Sequence, residues 1–237
     1  MLSIDDFYLP HNLQARLAAA HPDNPLVQHR GQPSTHDLPL ALSLFSDLLD
    51  GKETKIPSYD KSAYNGQGDR VPEEKWKVAN QKGQPIPKVV IFDGWCVGFR
   101  AASSAELERK WASAVRQREQ GVYHGRLGYN RQIDVEFVNE ALKGYDELTD
   151  QLDALIHLDA ADPLFVYQWR GQQEKALREA KGSGMTDEQV KKFVDGYYPA
   201  YELFTDRLRA GAFEGTNGKQ LRLVIGEDRG IKDVVML

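Results

Sequence analysis

The chain has 237 residues, of which 41% are apolar and 27% charged, so it can form a sizeable core and is not a disordered protein. Its formal net charge of −5 predicts no nucleic-acid partner, and no apolar run approaches the ~20 residues that span a bilayer. A single cysteine, Cys96, excludes a disulfide framework. Without a signal-peptide pattern, the sequence predicts a cytoplasmic protein and leaves its oligomeric state open.

Strand patterns alternate with helical ones along the chain. Four segments predict strands that lead into polar residues: 2–8, 88–95, 152–160 and 221–228. Helical spacing is found in 38–51, in 131–152, from about 169 to 180 before KGSG, and in 186–208. Gly144 interrupts the second helix, Thr186 is a plausible N-cap for the last, and Pro199 should kink or divide that last helix. The alternation predicts an α/β fold with a mostly parallel sheet, in a single domain over 1–237.

Acidic residues follow the predicted strands. The carboxyl ends of parallel strands meet at one edge of a sheet, where ligands of open α/β sheets bind. Asp93, in VVIFDGW, suits a Walker-B-like acid that holds Mg²⁺ beside phosphates, although many strands end in Asp-Gly simply to turn. Asp5, in SIDDFY, suits a general base, although an acidic residue there can also cap a turn. The complete set is Asp5, Asp6, Asp93, Asp159 and Asp228.

Two loops, RGQPSTHD (30–37) and IPSYDKSAYNGQGDR (56–70), concentrate cationic, hydroxyl and acidic side chains between glycines. This composition favours a site for a small polar or anionic substrate. A cap or turn role explains His36 equally well, and Lys61 and Arg70 can also be read as solvated surface charges. The candidate residues are Arg30, His36, Asp37, Tyr59, Lys61, Asp69 and Arg70.

The segment VYQWRGQQEKALR (166–178) supplies two arginines, Arg170 and Arg178. It is either an exposed helix with ordinary i,i+4 pairs or a mobile lid that carries arginine onto a transferring phosphoryl group. Arg100 and Arg229, which follow predicted strands, can add positive charge near a nucleotide. Cys96 and the four tryptophans are predicted to be packing residues.

In their fixed order, these segments resemble the plant and fungal D-glycerate 3-kinase family, and especially its fungal ATP-binding kinase-like members. The resemblance extends from residue 2 to about residue 230 and implies the P-loop NTPase-type fold of uridine kinase, phosphoribulokinase and bacterial pantothenate kinase. It also implies ATP and Mg²⁺ as cofactors and a small-molecule alcohol, such as D-glycerate, as partner. The segments that carry it are SIDDFYLP, NPLVQHRGQPSTHDLPL, IPSYDKSAYNGQGDR, VVIFDGWCVGF, VYQWRGQQEKALR and GMTDEQVKKFVDGYYPAY.

The resemblance implies roles for the matching positions. Asp5 falls where such kinases accept the proton of the substrate hydroxyl, Asp93 falls at the Walker-B acid and metal ligand, and Arg170 falls in the lid. Arg178 and Arg229 are assigned to the nucleotide. The substrate side comprises Tyr8, Arg30, His36, Asp37, Tyr59, Lys61, Asp69 and Arg70.

One expected motif is missing from the sequence. A P-loop kinase needs GxxxxGK[ST], whose backbone N–H groups cradle the phosphates, and this motif does not occur in the chain. In the family it precedes the segment that resembles SIDDFY, together with the first strand and first helix. We therefore expect an N-terminally truncated kinase, with an apolar strand and GxxxxGK[ST] encoded upstream of Met1. The loss should open a gap in the sheet or force 88–95 onto 152–160, expose apolar surface, and leave the protein marginally stable.

Three functions are compatible with these observations. The first is an ATP-dependent small-molecule kinase that transfers the γ-phosphoryl group to a hydroxyl, with activity impaired in this chain. The alternative is a non-catalytic regulatory or metabolite-binding protein derived from such a kinase. The third is a kinase whose substrate is a nucleoside or a pantothenate-like alcohol.

Overall fold

A computed structural model describes residues 1–181, 184–213, 215 and 217–237. Its strands are β1 (Leu2–Ser3), β2 (Thr54–Ile56), β3 (Tyr59–Asp60), β4 (Asp69–Arg70), β5 (Lys77–Ala79), β6 (Phe92–Asp93), β7 (Leu155–Ala160), β8 (Gln220–Ile225) and β9 (Ile231–Met236). Its α-helices are α1 (His11–Ala20), α2 (Leu38–Leu49), α3 (Ser104–Glu119), α4 (Gln132–Leu142), α5 (Asp146–Asp150), α6 (Phe165–Lys181) and α7 (Asp187–Ala210). The chain forms two compact units, Met1–Ala101 with Phe137–Leu152, and Ala102–Glu136 with Asp153–Leu237.

The core of the first unit is built on the apolar face of α2. Asp37 is the N-cap of this helix and accepts a hydrogen bond from the Leu40 N–H at 3.1 Å. The spacing of three and four residues places the apolar side chains of the helix on one face, as predicted. The buried cluster comprises Leu2, Phe7, Ala41, Leu44, Phe45 and Leu148.

Three short sheets of two strands belong to the first unit. β1 and β6 pair in parallel, with Leu2 opposite Phe92 and Ser3 opposite Asp93. β2 with β5 and β3 with β4 form antiparallel ribbons. The predicted strand 2–8 stops after Ser3, whose hydroxyl caps a 3-10 turn at Ile4–Phe7 by accepting from the Asp5 N–H.

The second unit contains a three-stranded sheet in the order β7-β8-β9. β7 and β8 are parallel, as predicted, and β9, which the sequence analysis missed, is antiparallel to β8. α7 lies against this sheet through the Gln220 side chain, which donates to the Leu208 carbonyl at 2.8 Å and accepts from the Ala212 N–H at 2.7 Å. The sheets are therefore small and mixed, which corrects the prediction of one mostly parallel sheet.

The long helix α7 begins where the sequence predicts. Thr186 and Gln189 form a capping box, in which each side chain bonds to the backbone N–H of the other residue. Pro199 does not divide the helix, which continues to Ala210 with Tyr198, Ala200 and Leu203 buried around the proline. The packing of this face outweighs the lost backbone hydrogen bond. The predicted end of α6 in KGSG falls on Gly182 and Ser183, which lie outside the described residues.

Apolar side chains are exposed next to both parallel strand pairs. Of the predicted strand 88–95 only Phe92–Asp93 forms, and Val89 and Ile91 before it are 77% and 59% exposed. Ile156 and Leu158 of β7 are 65% and 68% exposed. In the part of the chain that the structure describes, β7 pairs with β8 alone.

The tryptophans and the cysteine are packing residues, as predicted. Cys96 is 1% exposed, and burial raises the pKa of its thiol. Each indole N–H donates to a backbone carbonyl: Trp76 to Val71, Trp95 to Gly31, Trp111 to Asn130 and Trp169 to Glu227. None of the helices in the described ranges has both the length and the apolar composition needed to cross a membrane.

Candidate active site

The two strand-end acids Asp5 and Asp93 share one edge of a parallel strand pair. Asp93 ends β6 directly opposite Ser3, the last residue of β1, and the Ser3 hydroxyl donates to Asp93 Oδ2 at 3.5 Å. Asp5 follows two residues later, in the 3-10 turn. The prediction that these two carboxylates lie at the same sheet edge is therefore confirmed in position.

The adjacent carboxylates of Asp5 and Asp6 have different surroundings. Asp6 accepts the backbone N–H groups of Ser3 at 3.4 Å and Tyr59 at 3.3 Å. Burial raises the pKa of Asp6, and these hydrogen bonds oppose the shift. Asp5 forms an ion pair with Lys61 at 2.5 Å, and its side chain is 25% exposed. Asp6 therefore fixes the backbone, while Asp5 is the carboxylate that a small molecule can reach.

Lys61 lies in the loop between β3 and β4, whose shape depends on Gly68. The φ of Gly68 is +86°, and a Cβ at this position would lie 2.8 Å from the Tyr59 hydroxyl and 2.9 Å from Arg30 Nη1. Arg30 donates to the carbonyls of Gly66, at 2.7 Å, and Gln67. Its guanidinium also lies 5.6 Å from the centre of the Tyr59 ring. The two predicted substrate loops are thus joined to each other.

His36 is a buried, neutral imidazole near Asp5. Its ring is 5% exposed and stacks on Tyr8, with 4.5 Å between ring centres, and Tyr8 meets Tyr59 edge-on at 5.3 Å. Burial lowers the pKa of His36 to about 3, against the opposing effect of the Asp5 charge. The residue therefore carries no charge at neutral pH. His36 Nδ1 lies 2.6 Å from the hydroxyl oxygen of Tyr145.

Asp37, Asp69 and Arg70 hold the loops in place. Arg70 donates to Asp37 Oδ2 and to the Tyr8 carbonyl, both at 2.9 Å. The carboxylate of Asp69 accepts the backbone N–H groups of His11 and Arg70, also at 2.9 Å. Most polar groups of these three predicted substrate residues are therefore engaged with the protein, although Arg70 Nε has no partner among the described residues.

An open cavity of about 410 Å³ lies beside these loops. Of the predicted substrate residues it includes Asp69 and Arg70, whereas Asp5, His36 and Lys61 do not line it. Its other walls include His11 and Tyr64, whose rings stack with 3.8 Å between centres. The cavity therefore adjoins the loops and is not centred on the acidic strand ends.

Three of the predicted phosphate-side arginines lie in the second unit, whereas Arg100 lies in the first and forms ion pairs with Asp146 and Asp150. Arg170 forms an ion pair with Glu174 of the same helix at 2.5 Å, and its guanidinium lies 4.9 Å from the Phe193 ring centre. Arg178 donates to the Met185 carbonyl and pairs with Asp187 at 2.9 Å. Arg229, in the β8–β9 turn, donates to the Trp169 carbonyl at 3.4 Å. Their catalytic roles remain predictions.

Two other acids of the second unit have local partners. Asp159 lies within β7, 3% exposed, and its carboxylate accepts from Arg209 at 2.8 and 2.9 Å and from Arg222 at 2.8 Å. Asp228 lies in the β8–β9 turn and pairs with Lys232 at 3.0 Å. Both residues have structural contacts that account for them.

Comparison with known proteins identifies the family. A scan against protein-family models finds no match. The chain is 37% identical over 229 residues to the "Uncharacterized kinase mug58" of Schizosaccharomyces pombe, which covers 96% of this chain and 76% of that protein. The solved D-glycerate 3-kinase of Cryptococcus neoformans var. grubii is 36% identical, with a TM-score of 0.87, and the match covers 100% of this chain and 79% of that one.

The chain belongs to the D-glycerate 3-kinase family. A member of this family, "D-glycerate 3-kinase, chloroplastic" of Arabidopsis thaliana, is 33% identical over 234 residues, which are 96% of this chain and 46% of the plant protein. The "Probable ATP-dependent kinase TDA10" of Saccharomyces cerevisiae is 34% identical over 212 residues, 85% of this chain and 64% of that protein. The chain is thereby classed as a kinase, a phosphotransferase.

For the metal that accompanies nucleotides in kinases, Asp93 is a chemically suitable ligand. The described residues contain no group of three or more His, Cys, Asp or Glu side chains arranged to hold a metal ion. Mg²⁺ does not need such a group, because it commonly binds one or two carboxylates together with phosphates and water. Asp93 is exposed at the strand edge, so a single carboxylate is available there.

Tyr145 and Ser34 are two residues of the site that the sequence did not predict. Tyr145 lies 109 residues from His36 and has no motif around it that signals a site. Ser34, within RGQPSTHD, adopts a φ of +94°, which is uncommon for a residue with a side chain. The order of residues does not reveal that conformation, and only the fold brings Tyr145 to His36.

Proposed function

We propose that this chain is an ATP-dependent small-molecule kinase of the D-glycerate class, which transfers the γ-phosphoryl group of ATP to a hydroxyl. The observation that carries the proposal is the position of Asp5: an accessible carboxylate at the β1 end, beside Asp93 at the β6 end, with the exposed Lys61 as its ion-pair partner. The names of the fungal and plant relatives support glycerate as substrate and ATP as donor.

In the proposed reaction, Asp5 accepts the proton of the substrate hydroxyl. The alcohol oxygen then forms a bond to the γ-phosphorus of ATP, and the bond from that phosphorus to the β–γ bridging oxygen breaks, with its electron pair leaving on ADP. Mg²⁺, when bound with ATP, neutralises charge on the phosphates, and Asp93 is the residue that would hold it. Lys61 provides a positive charge for the carboxylate of a hydroxy acid.

The remaining assignments belong to the same proposal. Tyr8, Tyr59 and His36 would form the wall against which the substrate packs, and Arg30, Asp37, Asp69 and Arg70 would hold the loops that carry this wall. Arg170, Arg178 and Arg229 are the phosphate-side candidates. The P-loop NTPase type of fold, a single domain and a cytoplasmic location are further parts of the proposal.

The test measures D-glycerate binding and phosphorylation separately. Isothermal titration of the chain with D-glycerate, with glycerol as a control ligand, should show binding of the acid, which Asp5→Asn weakens less than it lowers turnover. In an ATP-coupled assay, Asp5→Asn should lower kcat by roughly 10²–10⁴-fold. Asp60→Asn, which changes an exposed acid of β3 next to Lys61, should change kcat little. An equal and measurable kcat for Asp5→Asn and wild type would refute the general-base role, whereas a wild type without turnover would favour the second candidate function given below.

A second candidate function rests on the missing GxxxxGK[ST] motif. Without this sequence, the chain would bind the hydroxy acid and not transfer phosphate, as a metabolite-binding or regulatory protein. D-Glycerate binding without ATP binding or turnover would favour it over the kinase.

A further inference from the structure

The backbone of the His36 segment is fixed against the start of the chain, which makes the orientation of the imidazole ring specific. The Leu9 N–H donates to the Thr35 carbonyl at 2.9 Å, and the Asp37 N–H donates to the Phe7 carbonyl at 2.7 Å. Tyr8 and His36 are thereby paired across two antiparallel segments, and their rings stack. The ring of His36 thus has one face covered and little freedom to rotate.

The hydroxyl of Tyr145 determines which nitrogen of His36 carries the proton. Among the described residues, the hydrogen-bond partner of the Tyr145 hydroxyl is His36. If Nδ1–H donated to the hydroxyl oxygen, both the hydroxyl proton and the Nε2 lone pair would be buried without a partner, which is less favourable than leaving one group unmet. The hydroxyl proton is therefore donated to His36 Nδ1, which lies 2.6 Å away. Nδ1 must accept this bond, so it is unprotonated and the proton of the neutral ring lies on Nε2.

The Nε2–H group has an unmet hydrogen bond. The residue is 5% exposed, and Nε2 has no hydrogen-bond partner among the residues that the structure describes. A buried donor without an acceptor is unfavourable, so such a group calls for an oxygen from a bound molecule. The His36 ring stacks on Tyr8, which is three residues after Asp5, so the imidazole lies beside the turn that carries the proposed base.

We infer that Tyr145 is a positioning residue, which holds His36 as an Nε2–H donor for an oxygen of the substrate alcohol. The inference rests on the proposed function and adds to it separate roles for Asp5 and His36. Asp5 accepts the proton of the hydroxyl, while His36 donates to a lone pair of the substrate and thereby orients it. A ligand whose oxygen accepts from the Nε2–H should bind. An analogue with a methyl group in place of that oxygen should bind more weakly, because the donor stays unpaired.

The first experiment is nuclear magnetic resonance of the full chain labelled with ¹⁵N in its histidines, without ligand. Long-range ¹H–¹⁵N spectra should show His36 as the Nε2–H tautomer, assigned by its loss in His36→Gln. In Tyr145→Phe, which removes only the donating hydroxyl, the Nδ1 resonance should shift and the tautomer preference should weaken. A wild-type His36 protonated on Nδ1 would overturn the inference, whatever the variants do.

The second experiment compares D-glycerate affinity among variants by titration. Glutamine can place an amide N–H near the position of Nε2, whereas asparagine reaches only the position of Nδ1, so His36→Gln should bind several-fold more tightly than His36→Asn. Tyr145→Phe should weaken binding by about five- to ten-fold. If wild type binds D-glycerate and all three variants bind equally well, His36 is not a donor to the substrate.

The two experiments separate failure of this inference from failure of the proposed function. A wild-type protein that does not bind D-glycerate contradicts the function and the donation to substrate, while the tautomer spectrum still decides the role of Tyr145. If Tyr145→Phe does not fold, the wild-type spectrum still decides the tautomer, and the affinities of His36→Gln and His36→Asn still decide the donation.

Discussion

Asp5 follows the apolar strand β1 and Asp159 lies near the end of the apolar strand β7, yet the two carboxylates have different surroundings and different roles. Asp159 is 3% exposed and is held by Arg209 and Arg222, whereas the Asp5 side chain is 25% exposed and pairs with Lys61, which is itself 59% exposed. Burial alone raises the pKa of Asp159, but the bonds from the two arginines outweigh it and lower the pKa overall. A buried carboxylate with fixed partners supports the fold, and an accessible one with a single exposed partner is able to react.

The largest expected effect is the difference in unfolding free energy between variants of Asp159 and Asp5. Asp159→Asn should lower the free energy of unfolding by about 3–5 kcal/mol, because two arginines lose their buried partner. Asp5→Asn should change it by less than about 1 kcal/mol, since the pair with Lys61 is solvated. Denaturant unfolding of both variants measures the difference. Equal losses would show that accessibility does not distinguish the two acids.

The next effect tests how the loop near Asp5 is built. Gly68→Ala should cost about 1–3 kcal/mol of stability through its φ of +86° and its collision with Tyr59 and Arg30. Gly66→Ala is the matched control, because Gly66 has a φ of +91° but no atom within 4 Å of an added Cβ. Thermal unfolding should therefore show a larger loss for Gly68→Ala. An equal loss in both variants would show that the positive φ alone causes it and that the collision with Tyr59 and Arg30 contributes nothing.

His36 in the first unit and Asp159 in the second affect the stability of the protein in different pH ranges. The unfolded chain binds a proton at the ordinary imidazole pKa of 6.5 and folded His36 only at about 3, so stability falls as the pH drops between these values. This group contributes a slope of up to about 1.4 kcal/mol per pH unit. The lowered pKa of Asp159 acts below its ordinary value of 3.8, where protonation removes its contribution.

Unfolding free energies at pH 6.5, 5.5 and 4.5 measure this slope. His36→Asn should flatten it. Burial also lowers the pKa of His157 in β7, so His157→Asn is the control that accounts for the second unit. An unchanged slope in His36→Asn would show that the ring is protonated in the folded state.

The smallest expected effect concerns the partner of Asp5. Lys61→Met should change stability by less than about 1 kcal/mol, as should Lys52→Met, whose side chain is equally exposed at 59%. Only Lys61→Met should weaken D-glycerate binding, by roughly five-fold, because an unpaired Asp5 then repels the acid. Calorimetric titration of both variants checks this. Equal affinities would remove Lys61 from the site.

The sequence predicted the positions that depend on local pattern. Asp5 and Asp93 follow apolar segments of parallel strands, and parallel neighbours place their carboxyl ends together whatever the rest of the fold does. Thr186 is the predicted N-cap of α7, and it forms a capping box with Gln189, which lies in the same turn. The helix break at Gly144 was also predicted, and there a Cβ would lie 2.9 Å from Leu38 Cδ1.

Features that depend on distant contacts were not predictable. Asp159 has the same strand-end pattern as Asp5 in the sequence. Its structural role depends on hydrogen bonds from Arg209 and Arg222, which are 50 and 63 residues away along the chain. The pairing of His36 with Tyr145 spans 109 residues. The strand β9 was missed because its alternation is interrupted by charged residues, and it forms by pairing with β8.

The tryptophans divide evenly between the two units, which gives the protein its own optical reporters. Trp76 and Trp95 belong to the first unit, and Trp111 and Trp169 to the second. A chain that keeps one pair, with phenylalanine at the other two positions, would report by fluorescence on one unit at a time. The indole N–H of Trp95 donates a hydrogen bond to the Gly31 carbonyl at 3.1 Å. The fluorescence of Trp95 should therefore respond to changes in the segment that carries His36.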